Sequence, residues 1–286
     1  MSQEYQLATK SLKPFVKWAG GKRQLLPILE KHFPKKIKMF FEPFLGGGAV
    51  LFDILSKNPN IRCVASDLNS DLILTYVTVR DSPHELIRSL EKHAKNYFKN
   101  KELYYYSVRS SNPRSQIEKT SRLLFLNKTC FNGLYRVNKK GKFNVPVGKY
   151  TNPNIVNKEN ILSVSTFLHS SKIKLICRDF QSVIEDTEEN DFIYFDPPYA
   201  PTSSSANFTS YTSKDFDNTE LERLYNVCTE LNSKGCNVMI SNSNTKEVIQ
   251  KFSSNIWKIN KVSANRFINS NSQNRQGHSE LIITNY

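Results

Sequence analysis

The chain has 286 residues, 38% hydrophobic and 12% aromatic, enough for one sizeable core or two small ones, and its 40 Lys and Arg against 26 Asp and Glu give a formal charge of +14. That balance favours a polyanionic partner, because basic side chains that neutralise phosphates also release condensed counterions. Five cysteines without a C-x-x-C pair and five histidines without H-E-x-x-H spacing argue against a zinc site or a disulfide framework, no apolar run approaches the ~20 residues that span a bilayer, and the first ten residues lack a signal-peptide core, so the expectation is a cytoplasmic, metal-free, non-membrane protein.

Taken in chain order, β-rich apolar runs predict strands over 39–43, 61–66, 173–177, 192–195 and 237–241, with helix-period stretches over 48–55, 70–79, 180–185 and 219–233 between them. Strands alternating with helices predict an α/β fold with a doubly wound, mostly parallel sheet. Strands over 255–262 and 280–286 around the Asn/Ser-rich stretch 265–277 predict a C-terminal antiparallel hairpin. The middle breaks the alternation. Helical segments over 84–98, 102–109 and 115–125 lead into Gly133–Gly148, which reads as a β-hairpin turning at Lys139-Lys140-Gly141. Residues 83–168 are therefore expected to be a helical insertion with a hairpin, set between 1–82 and 169–286 of one α/β domain.

Phe41-Glu-Pro-Phe44-Leu-Gly46-Gly47-Gly48 carries a strand into three glycines and a helix, a turn whose backbone admits a ligand closely and whose helix N-terminus offers free N–H groups. Asp67 ends the next strand, about 20 positions on, where an acidic residue commonly holds ribose hydroxyls. The pair points to a nucleoside cofactor and leaves NAD and S-adenosylmethionine both open; a tight turn with a helix-capping aspartate is the plainer alternative. Phe15-Val-Lys17-Trp18-Ala-Gly-Gly-Lys22 contains an aromatic able to cover a purine. Its spacing is not that of a P-loop, and on spacing alone it reads as a buried tryptophan beside a surface turn.

Asp196-Pro197-Pro198-Tyr199, directly after a strand, is the most informative tetrapeptide. An exocyclic amine of a base is a poor nucleophile because its lone pair is delocalised, and two acceptors on its hydrogens favour a pyramidal, reactive nitrogen. Asp196 supplies a carboxylate, Pro197 a carbonyl on a backbone with fixed φ, and Tyr199 a stacking face. In the hairpin and its approach, Phe131 could wedge beside an extruded base, Asn132 and Arg136 are residue types that read base edges, and Lys139 and Lys140 suit phosphates. An exposed basic hairpin without a partner is the alternative there.

In this order the motifs F-V-K-W-A-G-G-K, F-E-P-F-L-G-G-G, S-D-L-N-S-D, F-N-G-L-Y-R…F-N-V-P-V-G, D-P-P-Y-A-P and N-F-T-S-Y resemble the Dam-type DNA adenine-N6 methyltransferases, including members of type II restriction–modification systems, from about Phe15 to the C-terminus. The resemblance implies a class I methyltransferase-like sheet with an inserted DNA-recognition subdomain (83–168) between two parts of a catalytic domain. It implies S-adenosylmethionine as cofactor, held by Trp18, Lys22 and Asp67, with Asp179 reaching its adenine amine; Phe44, Gly46, Gly48 and Phe180 complete the candidate cofactor contacts, and Asp196 lies between cofactor and base. It places Lys17, Phe131, Asn132, Leu134, Arg136 and Pro146 on double-stranded DNA at GATC sites, and it allows for a cognate restriction endonuclease without implying contact. Three rivals stay open at this point: N4 of cytosine or an RNA base as target, a catalytically inactive DNA-binding protein on the same scaffold, and a nicotinamide dehydrogenase, for which neither D-P-P-Y nor the hairpin has a role. A ribose-type A-form groove is too narrow for the ribbon, which favours duplex DNA.

Overall fold

The structure is a computed structural model that describes residues 12–18, 20–138, 140–199, 216–264 and 278–286. Seven strands form one sheet in the order β3-β2-β1-β4-β5-β7-β6. They are β1 (Met39–Glu42), β2 (Arg62–Asp67), β3 (Lys172–Cys177), β4 (Phe192–Phe195), β5 (Asn237–Ser243), β6 (Lys258–Ala264) and β7 (His278–Thr284). The first five run parallel, and β7 lies antiparallel to both β5 and β6. The predicted doubly wound sheet with a C-terminal antiparallel pair is thus observed.

Side-chain alternation explains why the sheet has a core on each face. Phe40 and Phe192 enter one cluster with Leu51, Tyr76 and Phe167, while their neighbours Phe41 and Ile193 enter the other with Leu224, Val238 and Phe252. β4 is buried at all four positions, as a central parallel strand covered on both sides must be. At the edge, β3 exposes Lys172 and Lys174, charges that discourage further strand pairing.

The helices are α1 (Leu26–Leu29), α2 (Ala49–Lys57), α3 (Ser70–Asp81), α4 (Pro83–Tyr97), α5 (Lys101–Ser110), α6 (Gln116–Thr129), α7 (Lys158–Ser170), α8 (Val183–Asp186), α9 (Asn218–Ser233) and α10 (Lys246–Lys251). Their starts follow local chemistry. Asn69, Asn100, Ser115 and Asp217 each cap a helix by accepting backbone N–H bonds, and the Ser115 hydroxyl, which accepts the Glu118 N–H, also donates to the Glu118 carboxylate. The helical middle has no core of its own: Leu90, Tyr97, Tyr105 and Phe125 belong to the same cluster as Phe40 and Phe192.

Several elements differ from the sequence expectation. α7 was hidden by its Ser, Thr and Asn content, yet Ile161, Val164, Phe167 and Leu168 recur at helical spacing and are buried. β1 stops before Pro43, which has no N–H to donate. β6 begins only at Lys258 because the preceding chain turns, Trp257 N–H bonding to the Ser254 carbonyl. The stretch 180–185 is a 3-10 turn, Phe180–Ser182, followed by α8. The hairpin pairs only through isolated bridges, Val137 with Phe143 and Cys130 with Val147, and the Asn138 side chain closes its turn on the N–H groups of Lys140 and Lys142. Lys139, Ala200-Pro201, Asn207–Tyr211 and 265–277 with Arg266 and Arg275 lie outside the described residues. Among the described residues no helix is long and apolar enough to cross a membrane, and no group of His, Cys, Asp and Glu is placed to hold a metal ion.

Candidate active site

The site is built where parallel strands end. Asp67 closes β2, the glycine turn follows β1, and Asp196 follows β4, on three adjacent strands. Asp67 organises the turn beside it: Oδ2 accepts the Gly46 N–H at 3.0 Å and Oδ1 the Asn69 N–H at 2.9 Å. Burial nevertheless pushes its carboxyl up to about 6, against the pull of those two donors. Each oxygen has lone-pair capacity left for a further donor. Tyr76 donates to the Gly46 carbonyl at 3.1 Å, and a Cβ at Gly48, where φ is +68°, would stand 2.6 Å from the Tyr76 hydroxyl oxygen. Trp18 covers the turn, its ring close enough that a Cβ on Gly46 would lie 3.0 Å from it, and it stacks on Tyr135 with centroids 5.1 Å apart.

Glu42, inside the same motif, was not singled out from sequence. It is buried, its Oε2 has no hydrogen-bond partner among the described residues, and burial first, then the charges of Asp196 and Asp67, push its carboxyl well above the usual range.

Asp196 sits in a compact ionic group. Lys22 Nζ lies 2.8 Å from Asp196 Oδ1 and 3.8 Å from Glu280 Oε2, donates to the Gly20 carbonyl at 2.9 Å, and stands 4.8 Å from the centre of the Tyr199 ring. The Tyr199 hydroxyl donates to Glu280 Oε2 at 2.8 Å. Burial raises the Asp196 carboxyl to about 6 and Glu280 adds to this, while Lys22 opposes it. Burial, with the charges of Asp196 and Glu280, also keeps the Tyr199 phenol well above its ordinary value, so it remains a donor. The Lys22 side chain is only 4% exposed, so its charge is spent on carboxylates of the protein. Glu280, from β7, carried no sequence signal: it sits in the alternation of an antiparallel strand, far from every motif in the chain.

A third cluster follows β3. Asp179 Oδ1 accepts the Gln181 N–H at 3.0 Å and Arg223 Nη2 at 2.8 Å, which leaves Oδ2 without a described partner. Arg223, on α9, also lies 5.0 Å from the Phe180 ring, and Phe180 stacks on Phe44 at 5.2 Å. The candidate residues Phe44, Asp179 and Phe180 are thus brought together, and Arg223 is an addition that no motif announced.

Most of the candidate DNA contacts lie in the turn after α6 and in the hairpin that follows it. Phe131 is exposed at 44%, Asn132 is exposed in the left-handed region at φ +53°, and Pro146 is exposed with its carbonyl accepting the Phe131 N–H. Leu134 and Arg136 are half-buried. Arg136 is oriented across the hairpin by Asn144, Nε to Oδ1 at 2.7 Å. Lys140 is exposed. Buried Asn127 joins the two regions, accepting the Lys17 N–H at 2.7 Å and donating to the carbonyls of Lys17 and Gly133 at 2.7 and 3.1 Å. A cleft of about 320 Å³ is lined by Lys17, Lys128, Tyr150, Pro153, Asn154 and Asn157. Burial and the neighbouring Lys17 pull Lys128 down to about 8.

Residues 18–268 match the family described as D12 class N6 adenine-specific DNA methyltransferase. The chain is 40% identical over 282 residues to a type II methyltransferase of Lactococcus lactis subsp. cremoris, covering 96% of each chain. It is 41% identical over 291 residues to a type II methyltransferase of Methanocaldococcus jannaschii, covering 96% of this chain and 99% of the relative. It is 33% identical over 275 residues to a DNA adenine methylase of Haemophilus influenzae, covering 94% and 92%. A match that spans the glycine turn, the strand-end carboxylates and the helical middle alike, with relatives matched nearly end to end, means that the chain belongs to the D12 class N6 adenine-specific DNA methyltransferases.

Proposed function

We propose that the protein transfers a methyl group from S-adenosylmethionine to N6 of an adenine flipped out of duplex DNA, within 5′-GATC-3′. The observation that carries this reading is the Asp196 carboxylate at the carboxyl end of β4, next in the chain to Pro197 and beside the glycine turn and Asp67. The donor set suits the adenosine part of the cofactor: Asp67 for the ribose hydroxyls, the open Oδ2 of Asp179 for the adenine amine, and Trp18, Phe44 and Phe180 as apolar walls around Gly46 and Gly48. When bound, S-adenosylmethionine supplies a methyl group on a sulfonium, already activated for in-line transfer.

The residues then have distinct tasks. Asp196 Oδ and the Pro197 carbonyl accept the N6 hydrogens and orient the nitrogen lone pair; Pro198 holds the turn, and the Tyr199 ring stacks on the base. Lys22 fixes Asp196 through its 2.8 Å contact. The adenine must leave the duplex because its amine is otherwise paired and out of reach. Residues 83–168 act as the target-recognition segment between the two catalytic parts 1–82 and 169–286. Arg136, Asn132, Leu134 and Pro146 face the bases, Phe131 fills space near the flipped nucleotide, and Lys17, Lys139 and Lys140 meet DNA from the basic side. Two ammonium groups sharing one cleft, Lys17 and Lys128, suit a phosphate that would relieve their repulsion. GATC rests on the Dam-type motif pattern. The type II names of two relatives support a cognate restriction endonuclease in the same cytoplasm.

The test is incubation with methyl-labelled S-adenosylmethionine and GATC duplexes, followed by digestion to nucleosides. Label in N6-methyladenine, lost when a guanine of the site is changed, is expected; label in N4-methylcytosine, or only in RNA, overturns the reading.

A further inference from the structure

The D-P-P-Y turn is fixed at one end only by β4. Its far end, Tyr199, is tied instead to the C-terminal antiparallel pair, through Glu280 on β7. Glu280 is 6% exposed and its Oε2 meets two groups of the site: the Tyr199 hydroxyl at 2.8 Å and the Lys22 ammonium at 3.8 Å. Its backbone is held from both sides, paired with Ser243 of β5 and Val262 of β6. A carboxylate so placed is a fixed anchor on a rigid frame. It fixes the tip of the Tyr199 ring and lies within 3.8 Å of Lys22, whose nitrogen stands over that ring and also reaches Asp196.

We propose that Glu280 is a positioning residue for methyl transfer, sharing Lys22 with Asp196 and anchoring the Tyr199 hydroxyl so that the carboxylate and the stacking ring keep one mutual geometry. This rests on the proposed transfer to adenine at Asp196. The electrostatics point the same way. Asp196 is faced by Lys22, Glu280, Glu42, Tyr194 and Tyr199, and among these charges Glu280 raises the Asp196 carboxyl while Lys22 lowers it. Removing the Glu280 charge therefore shifts Asp196 toward ionisation at lower pH.

The experiment uses the full-length protein, GATC duplex and saturating S-adenosylmethionine. Glu280→Gln keeps the size and an acceptor for Tyr199 but loses the charge-assisted bond, so kcat falls about tenfold with little change in KM for DNA. The acid limb of its kcat/KM profile moves below that of the wild type. Glu280→Asp keeps the charge and leaves the acid limb nearer its wild-type place. Tyr199→Phe lowers kcat in the wild-type background and by a smaller factor in Glu280→Gln, because both remove one contact. Wild-type kcat and an unmoved acid limb in folded Glu280→Gln overturn the proposal, as does full additivity with Tyr199→Phe. Should Glu280→Gln fail to fold, Tyr199→Phe decides alone: unchanged kcat there overturns it. A wild-type protein that labels no adenine sinks the underlying reading instead, so the two failures are distinct.

Discussion

Asp196→Asn keeps the volume of the side chain and removes one acceptor oxygen and the charge. Lys22 Nζ, 2.8 Å from Asp196 Oδ1, dictates which way the new amide turns. Its oxygen must face the ammonium, which leaves the NH₂ toward the adenine amine, donor against donor. Loss of one aimed, preorganised acceptor costs about 10²–10³ in kcat. Folding responds differently. The carboxyl titrates at about 6 in the folded protein against 3.8 for the ordinary group, chiefly from burial, and its side chain is 18% exposed. That difference corresponds to about 3 kcal/mol. Because the folded value is the higher one, this contribution to stability is complete below pH about 4 and is lost as pH rises through about 6. Asn has no such titration, so the melting temperature of the variant falls less than that of the wild type across this window; the part that remains includes Asp67, also held at about 6. Lys22 is left with Glu280 at 3.8 Å, which offsets some of the gain at neutral pH. Single-turnover methylation at saturating cofactor, with thermal melts over the same pH range, measures both effects. A near-wild-type rate refutes the assigned role of Asp196, and identical pH slopes refute its burial as the source of the shift.

In the wild type, the same titration makes kcat/KM fall as pH drops below about 6, since the protonated carboxyl is a poorer acceptor; a profile flat to pH about 4 in a folded enzyme argues against it. Asp67→Ala removes the two oxygens proposed for the ribose hydroxyls and the anchor of Gly46, so calorimetry without DNA should show S-adenosylmethionine weakened by roughly 1.5–3 kcal/mol for each charge-assisted bond lost. Arg136→Ala should narrow the preference for GATC over duplexes with one guanine changed, by roughly 1–3 kcal/mol, whereas Lys140→Ala should weaken all duplexes alike and make the salt dependence shallower; equal loss on every duplex with Arg136→Ala would remove it from sequence reading. Asn127→Leu breaks three hydrogen bonds in a buried position and should cost roughly 2–4 kcal/mol in denaturant unfolding, with an unchanged midpoint ruling out the stitch described above.

The sheet was legible because buried parallel strands are short apolar runs, and Phe40-Phe41 and Phe192–Phe195 admit no other reading. The glycine turn, Asp67 and Asp196 were legible because each terminates such a run. Glu280 and Arg223 were not, since each acts by reaching across from an element remote in sequence, and neither strand alternation nor helix period distinguishes a side chain that meets a site from one that meets water. Glu42 was in plain view within a motif, but its raised carboxyl and its unpartnered Oε2 follow only from full burial close to two other carboxyls. The hairpin is legible from its turn residues; it pairs through single bridges, to which the Asn138 side chain adds bonds at the turn and the Asn144 side chain a bond to Arg136 across the arms.

A chain of charge +14 thus carries its site in a pocket of acids, and the two facts belong together. Asp67, Glu42 and Asp196 follow one another across β2, β1 and β4, and burial raises all three. Such a pocket repels phosphate and selects ligands that bring donors or positive charge, which is the character of both a base amine and a sulfonium. The Lys17 and Lys128 cleft carries the opposite charge, as the proposed phosphate contact requires. Trp18 packs against the glycine turn and stacks on Tyr135, while Asn127 ties the preceding Lys17 backbone to Gly133. In the proposed reaction the nucleic-acid backbone stays with the basic cleft, and the flipped adenine, a neutral ring that brings N–H donors, is the kind of ligand that the acidic group around Asp196 suits.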